Sequence, residues 1–363
     1  MKNDRYIRQI ALKDFGAGKQ QLLSEAAVLV VGVGGLGIPV LQYLTAMGVG
    51  TIGMAEQDII EESNLQRQVL FSEEDLGKQK ILVAHEKLKA MNSATEFIVH
   101  DTFITPANAL EIISRYDLVI DASDNFPTRY LVNDACTVLK KPFVYGALHG
   151  FEGQVSVFNF QGGPTYRCLF PEPPRNDEIP NCNTHGVLGV IPGIVGSLQA
   201  LEAVKVITGI GEVMSGKLLL YNGLDQSTRK IKFPLIKEHL LRNQLEEHYE
   251  FQRCGTEDRI SLKELQVLMD TSASWQLIDV RSVAEFKEVA IPIAINVPLP
   301  LLEHYFEDHL PAKTLYLICQ TGVRSDYALR ILKAKFPDVA MYSVEGGMEQ
   351  WRGATTAIKD RDL

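Results

Sequence analysis

The sequence predicts an α/β fold, a doubly wound and mostly parallel sheet followed by a second, smaller α/β domain. Three observations carry this. Short β-branched runs alternate with helically spaced segments, a glycine turn follows the first run directly, and the same pattern restarts after a charged stretch near residue 250. Ala27-Val28-Leu29-Val30-Val31 is a continuous apolar run of strand length, followed by glycines and a helical pattern. Thr51–Ala55, ending at Glu56, and Leu118–Ile120, ending at Asp121, repeat the strand signal, with the helical spacing of Lys78–Met91 between them. Right-handed crossovers place the ligand crevice at the carboxyl ends of these strands.

The chain has 363 residues, 46% apolar and 22% charged, which excludes disordered and fibrous classes and allows two cores. A net charge of −9 with mixed signs gives no basic stripe for a phosphate backbone, so nucleic acid is not an expected partner. No run approaches the roughly 18 uninterrupted apolar residues of a membrane helix. The start, Met1-Lys2-Asn3-Asp4-Arg5-Tyr6-Ile7-Arg8, lacks a hydrophobic signal region, so a cytoplasmic protein without a membrane partner is expected. Five cysteines, an odd number in a long chain, do not form a disulfide framework.

The proline- and charge-rich stretch Pro171–Asn181 predicts a mobile surface loop. A charged amphipathic segment, Lys237–Tyr249, precedes the restart of the α/β pattern at Ile260. We therefore divide the chain into a first domain, residues 1–250, and a second domain, residues 258–363.

Gly32-Val33-Gly34-Gly35-Leu36-Gly37 sits after a strand and at the start of a helix, where backbone N–H groups and the helix terminus favour phosphate. The turn alone fits a nicotinamide-dependent oxidoreductase equally well, with Glu56 holding a ribose. The segment after β-run 51–55 separates the two, because Glu56-Gln57-Asp58-Ile59-Ile60-Glu61-Glu62-Ser63-Asn64-Leu65-Gln66-Arg67-Gln68 is too polar for a core.

Across these motifs the sequence resembles the adenylating enzymes for molybdopterin and thiamine sulfur-carrier proteins, relatives of ubiquitin-activating enzymes. The resemblance runs through Arg5-Tyr6-Ile7-Arg8-Gln9, Gly32–Gly37, Ser63–Gln68, Gly77-Lys78-Gln79-Lys80 and Asp121-Ala122-Ser123-Asp124-Asn125. It continues through Gly150–Val155 and Gly193–Ala200, covering roughly residues 4–233. It implies a Rossmann-like adenylation domain with an ATP site built from Gly34, Gly35, Gly37, Glu56, Asp58, Ser63, Asn64, Leu65, Gln66, Arg67, Lys80, Asp124 and Asn125. Of these, Asp124 would hold magnesium, and Lys80 and Arg67 would meet charge developing on phosphate. Arg8 would reach the triphosphate of a partner subunit, which implies a homodimer. Glu56 departs from the family's usual Asp by one methylene.

Cys182 lies where the loop runs into a helix, a setting that favours thiolate, and it matches the family cysteine that can join covalently to the activated carrier. The family's two Cys-x-x-Cys zinc pairs are broken here to Thr165-Tyr166-Arg167-Cys168 and Phe251-Gln252-Arg253-Cys254. Two thiolates cannot close a tetrahedral site, so no structural zinc is expected, and apolar packing or the 237–249 insertion is expected to replace it. Cys136 reads as a small core residue.

In the second domain Leu277–Arg281 reads as a strand, Glu285-Phe286 as a turn, and Ala294–Leu299 as a second extended run. Leu315–Ile318 then leads into Cys319-Gln320-Thr321-Gly322-Val323-Arg324-Ser325 and a helix. This resembles the rhodanese domain over roughly residues 258–354, including Val344–Trp351, although Lys287–Pro292 departs from the family's usual turn. Cys319 would carry sulfur in a bowl of backbone N–H groups, with Arg324 adding positive charge. A cysteine phosphatase spaces its cysteine and arginine by five residues. Here four intervene, which suits a terminal sulfur better than a phosphate.

Together these features predict an ATP- and magnesium-dependent adenylyltransferase, a homodimer, acting on a ubiquitin-like sulfur carrier with a C-terminal Gly-Gly. A cysteine desulfurase is the expected kind of sulfur donor to Cys319. A nicotinamide-dependent oxidoreductase and a non-catalytic carrier-binding scaffold are the competing classes.

Overall fold

The computed structural model describes residues 3–173, 186–246, 249, 258–269, 275–309, 311, 313–336 and 339–356. The chain divides into two units, Met1–Phe251 and Gln252–Leu363.

In the first unit the strands are β1 (Ala27–Val31), β2 (Thr51–Ala55), β3 (Glu96–His100), β4 (Leu118–Asp121), β5 (Phe143–His149), β6 (Glu152–Phe158), β7 (Lys217–Asn222) and β8 (Ser227–Lys232). They form one sheet in the order β3-β2-β1-β4-β5-β6-β7-β8. β1 to β5 are parallel and β6 to β8 antiparallel. The helices are α1 (Ile7–Ile10), α2 (Gly16–Glu25), α3 (Gly37–Met47), α4 (Lys80–Met91), α5 (Ala109–Ser114), α6 (Phe126–Val138), α7 (Tyr166–Leu169) and α8 (Val190–Thr208). β1 shows why the sheet is wound on both sides: Val28 and Val30 join the cluster containing Leu41, Ile81 and Val195, whereas Leu29 and Val31 join the one containing Ile112, Leu131 and Ala135. Successive side chains of a strand point to opposite faces, so an uninterrupted apolar run needs helices on both. α8 is apolar and long enough to cross a membrane by composition, but half of its most apolar window is buried, with Val195 packed over Gly153 and Gln199 over Gly146.

The second unit holds β9 (Arg259–Ile260), β10 (Gln276–Asp279), β11 (Ala294–Asn296), β12 (Thr314–Ile318) and β13 (Ala340–Val344), all parallel, in the order β11-β10-β12-β13-β9. Its helices are α9 (Leu262–Met269), α10 (Val283–Glu288), α11 (Leu302–Asp308), α12 (Val323–Lys335) and α13 (Gly347–Gln350). Leu315 and Leu317 face one core, Tyr316 and Ile318 the other. The turn expected at Glu285-Phe286 is instead part of α10. The Glu285 carboxylate accepts the Ser282 N–H at 2.9 Å, and the Ser282 hydroxyl accepts the Glu285 N–H at 3.3 Å, a reciprocal cap that starts a helix.

Cys168 and the 237–249 insertion meet in the first unit. The Cys168 sulfur accepts the Ile236 N–H at 3.3 Å, and residues 237–241 then form a short 3-10 turn. Beside it the buried Asp134 of α6 receives two hydrogen bonds from Arg167, both 2.8 Å, and one from the Tyr249 hydroxyl at 2.9 Å, with Arg242 at 3.2 Å. Glu246 bridges Arg167 and Arg242 at 3.0 and 3.1 Å. The insertion is thus fastened by charge as well as by the packing of Leu245 and Tyr249. Cys254 lies outside the described residues, as does most of the expected loop 171–181.

Asp134→Asn leaves Arg167 and Arg242 with Glu246 as their remaining carboxylate, so it is expected to destabilise the first unit by about 1.5–3 kcal/mol. Chemical unfolding followed by tryptophan-independent probes of this unit, such as hydrogen exchange of β4 and α6, checks this. A loss below about 1 kcal/mol would show that the network does not hold the insertion.

Candidate active sites

Strand order reverses between β1 and β4, and the loops after both strands meet there, at the carboxyl edge of the sheet. Gly32 follows β1 with φ +96°, and a Cβ on it would stand 2.8 Å from the Ala122 carbonyl oxygen after β4. A Cβ on Gly37, the first residue of α3, would stand 2.0 Å from the Gly32 carbonyl oxygen. Both positions require glycine for backbone packing. Gly34 is different: a Cβ there would meet only the Gln68 side chain at 3.8 Å, which leaves room for a ligand. At Gly35 a Cβ would press on Pro192 at 3.2 Å and on Arg67 at 3.4 Å, so the turn lies against the polar run and α8.

Glu56 leaves β2 buried, and its carboxylate binds the turn itself. One oxygen accepts the Val33 N–H at 3.0 Å; the other accepts those of Gln57 and Asp58 at 2.9 and 3.0 Å. A carboxylate has about four lone-pair directions, so capacity remains for a hydroxyl such as that of a ribose. Asn64 is buried and closes a reciprocal cap with Glu61 around Glu62–Asn64. Ser63 and Gln66 are exposed and Leu65 half-buried, while Arg67 donates to the Ser63 carbonyl at 2.8 Å. Lys80 opens α4 with its side chain buried and its ammonium 3.1 Å from the Asp58 carboxylate, and its N–H donates to the Asp58 carbonyl at 2.9 Å. Asp58 is therefore the counterion of Lys80.

After β4, Asp124 and Asn125 are exposed. Asn125 caps α6 by accepting the Thr128 N–H at 2.9 Å. Beneath them lie Asp121 and Arg129, to which the family resemblance assigns no role. Asp121 is fully buried; one of its oxygens accepts the Ser123 N–H and hydroxyl at 3.0 and 2.6 Å, and the other has no partner among the described residues. Burial pushes the Asp121 carboxyl up, partly offset by the Arg129 charge. Arg129 donates to the Ser123 carbonyl at 3.3 Å and stacks over Phe126 and Tyr145. A local signal for it exists in the Asp121–Arg129 run, where an arginine falls one helical turn after the cap Asn125.

Arg8 does not join this site within its own chain. It is exposed on α1, whose Gln9 donates to the carbonyl of Met47 at the far end of α3, about 16 Å along that helix from the glycine turn. Cys182 lies outside the described residues. A cavity of about 950 Å³ lined by Ala26, Leu118, Pro142, Phe160 and Leu241 opens on the opposite edge, at the amino ends of β1, β4 and β5. None of the nucleotide-site residues lines it.

In the second unit Cys319 directly follows β12 and is fully buried, and its sulfur accepts the Gly322 N–H at 3.1 Å and lies 3.6 Å from the Ser325 hydroxyl. Gly322 has φ +97°, a left-handed turn that glycine adopts without strain and that aims its N–H back at the sulfur. The loop rests on α13: Met348 and Glu349 donate their N–H groups to the carbonyls of Cys319 and Gln320, both at 2.9 Å. A Cβ on Gly347 would lie 2.4 Å from the Cys319 carbonyl oxygen. Buried Arg281 pairs with Asp279 at 2.7 Å, donates to Gln320 at 3.3 Å and holds the Val289 carbonyl at 2.7 Å, which anchors the atypical 287–292 turn. Arg324 is paired: Glu285 accepts from both of its terminal nitrogens, at 2.8 and 2.6 Å.

The ThiF family model matches residues 6–240, and the rhodanese-like domain model matches residues 261–354. The chain belongs to the ThiF family and carries a C-terminal rhodanese-like domain. Among its relatives, the adenylyltransferase and sulfurtransferase MOCS3 of Xenopus laevis is 38% identical over 96% of this chain and 85% of that protein. The sulfur carrier protein adenylyltransferase of Thermus thermophilus is 53% identical over 63% of this chain and 86% of that protein. E. coli MccB, solved with MccA-N7isoASN, shares the fold with a TM-score of 0.58 at 23% identity, covering 65% of this chain and 73% of that one. This chain is an adenylyltransferase with a sulfurtransferase domain.

Lys80→Ala removes the buried ammonium that the resemblance assigns to ATP, so the adenylation barrier is expected to rise by at least about 2 kcal/mol, roughly thirtyfold in kcat/KM. Steady-state adenylation kinetics check this. Unchanged turnover would leave Lys80 as no more than the partner of Asp58.

Proposed function

We propose that the chain uses ATP to activate the C-terminal carboxylate of a ubiquitin-like sulfur carrier ending in Gly-Gly, and then gives it sulfur held on Cys319. The observation that carries this reading is one polypeptide holding both an open glycine turn that lies against Arg67 and is tied through Glu56 to the Asp58–Lys80 pair, and a cysteine whose sulfur accepts a backbone N–H. The names of the relatives from Thermus thermophilus and Xenopus laevis support it.

In the first step a carrier carboxylate oxygen bonds to the α-phosphorus while the bond to the bridging oxygen breaks and pyrophosphate leaves. Lys80 and Arg67 offset the charge that grows on the phosphate oxygens, and backbone N–H groups at Gly34 and Gly35 hold the chain of phosphates. Asp124 fits a magnesium ion: among the described residues its exposed carboxylate takes only a 3.5 Å contact from Asn125, and magnesium commonly binds through one or two carboxylates plus substrate phosphates. When bound there, magnesium neutralises phosphate charge. In the second step the terminal sulfur on Cys319 attacks the acyl-adenylate carbonyl and AMP leaves. A thiol then attacks the Cys319 sulfur, a disulfide forms between the two, and the bond to the outer sulfur breaks so that the carrier's thiocarboxylate leaves; Cys182 is our candidate for the cysteine that joins covalently to the activated carrier. Arg8 completes the nucleotide site of a second subunit in a homodimer, and a persulfide-bearing desulfurase charges Cys319.

Structural zinc is absent in this reading, because Arg167, Arg242 and Glu246 around Asp134 take over the fastening role beside Cys168. Metal analysis is expected to find less than one zinc per chain; a full equivalent would overturn this.

Two variants separate the chemistries. Asp124→Ala is expected to abolish carrier-dependent ATP–pyrophosphate exchange and keep persulfide formation, whereas Cys319→Ser should do the reverse, since a hydroxyl holds no terminal sulfur. No exchange with any carrier would favour the oxidoreductase or scaffold classes, and exchange without carrier would overturn the carrier as the activated substrate. Full sulfur transfer by Cys319→Ser would move the sulfur site to another cysteine.

A further inference from the structure

We propose that Glu285 is a specificity-determining residue of the sulfur site: by neutralising Arg324 it turns the Cys319 cradle against dianionic donors and toward donors bearing at most one charge. The inference rests on the sulfur-transfer reading above.

In isolation, the Cys319–Ser325 loop presents a thiol beside an unopposed guanidinium. The fold changes that charge. α10 brings the Glu285 carboxylate against the first turn of α12, where it takes both terminal nitrogens of Arg324 in a two-point clamp at 2.6 and 2.8 Å. Glu285 is held in place from its own side by the Ser282 N–H and hydroxyl at 2.9 and 2.7 Å. The Arg324 charge draws the Glu285 carboxyl down to about 2, so it stays ionised at neutral pH. Arg324 is raised by the same partner, with the Cys319 and Asp279 charges adding to it. Among the described residues, the other charged groups by the loop are also paired, Asp279 with Arg281 at 2.7 Å and Asp326 with Arg259 at 2.6 Å. The cradle therefore contributes one directed N–H, from Gly322, and little net positive charge.

Two donor classes respond differently to such a cradle. With thiosulfate, the Cys319 thiolate attacks the outer sulfur, a sulfur–sulfur bond forms to Cys319, the bond to the sulfonate breaks, and sulfite leaves with the electron pair. A dianion must then approach an anion, which needs a free cation. With a persulfide, the thiolate attacks the terminal sulfur of R–S–SH and a thiolate RS⁻ leaves; the approach brings at most one further charge. Arg324 clamped by Glu285 favours the second.

Glu285→Gln isolates the charge, because Gln serves in the same reciprocal cap with Ser282 and keeps the side-chain length. Measurements on the full chain use thiosulfate and 2-hydroxyethyl persulfide as donors, reading one added sulfur on Cys319 by mass and sulfite release. Since both side chains of the pair are about one-third exposed, solvent screening limits the effect. Glu285→Gln is expected to raise kcat/KM for thiosulfate roughly three- to tenfold, leave that for the persulfide within about twofold, and make the thiosulfate rate more sensitive to salt. Glu285→Asp, which keeps the charge, is expected to keep the wild-type ratio between donors. A loss of both activities in proportion, or an unchanged ratio in Glu285→Gln, would reduce Glu285 to a helix cap and overturn the proposal. Failure of the wild-type chain to take sulfur from either donor would instead overturn the underlying sulfur-transfer reading.

Discussion

The first unit depends on how closely the loop after β1 can approach the loop after β4. With Gly32 against the Ala122 carbonyl and Gly37 against the Gly32 carbonyl, the glycine turn can pass beneath the switch point only without side chains at those two positions. A methyl group at either would push α3 away from the sheet and open the crevice. Because the turn is pinned there, the groups on neighbouring loops acquire fixed places around it. Glu56 ties its carboxylate to the Val33 N–H, Lys80 opens α4 against Asp58, and Asp124 stands at the end of β4. This crevice is a property of the sheet's strand order as much as of any motif.

The second unit obeys a related constraint with different parts. A strand ends, the chain turns through a left-handed glycine, and a backbone N–H is aimed at the sulfur of the cysteine that follows the strand, Cys319. The loop is held from below by α13, where Gly347 admits the Cys319 carbonyl, and from the side by the buried Asp279–Arg281 pair. Buried pairs of this kind cost desolvation, and their use lies in fixing one geometry. Arg281 fixes two at once, holding Gln320 of the loop and the Val289 carbonyl of the atypical turn.

Asp134 does comparable work in the first unit. Around it Arg167, Arg242, Tyr249 and Glu246 join α6, α7 and the insertion. A metal fastens loops through four ligands whose bonds are directional, whereas a charge network fastens them through bidentate arginine geometry and a shared carboxylate. Cys168 stands at the edge of this network with its sulfur occupied by the Ile236 N–H. Both arrangements solve the same problem of tethering irregular chain that has little apolar surface to bury.

The alternation of apolar runs and helical spacing was sufficient to place β1, β2, β4 and α4, because a strand buried on two faces has no polar alternation to obscure it. The glycine turn, the Ser63–Gln68 run and the Cys319 loop were also legible, since their chemistry depends on residue types at short, fixed spacing. What the sequence by itself left open were contacts between elements distant in the chain. Nothing local announces that Glu285, expected in a turn, caps a helix and clamps Arg324, that Asp134 gathers two arginines, or that Asp58 is the counterion of Lys80. Motifs are local and survive in one dimension, but the charge of a site is a sum over whatever the fold brings within a few ångströms, and only the tertiary structure performs that sum.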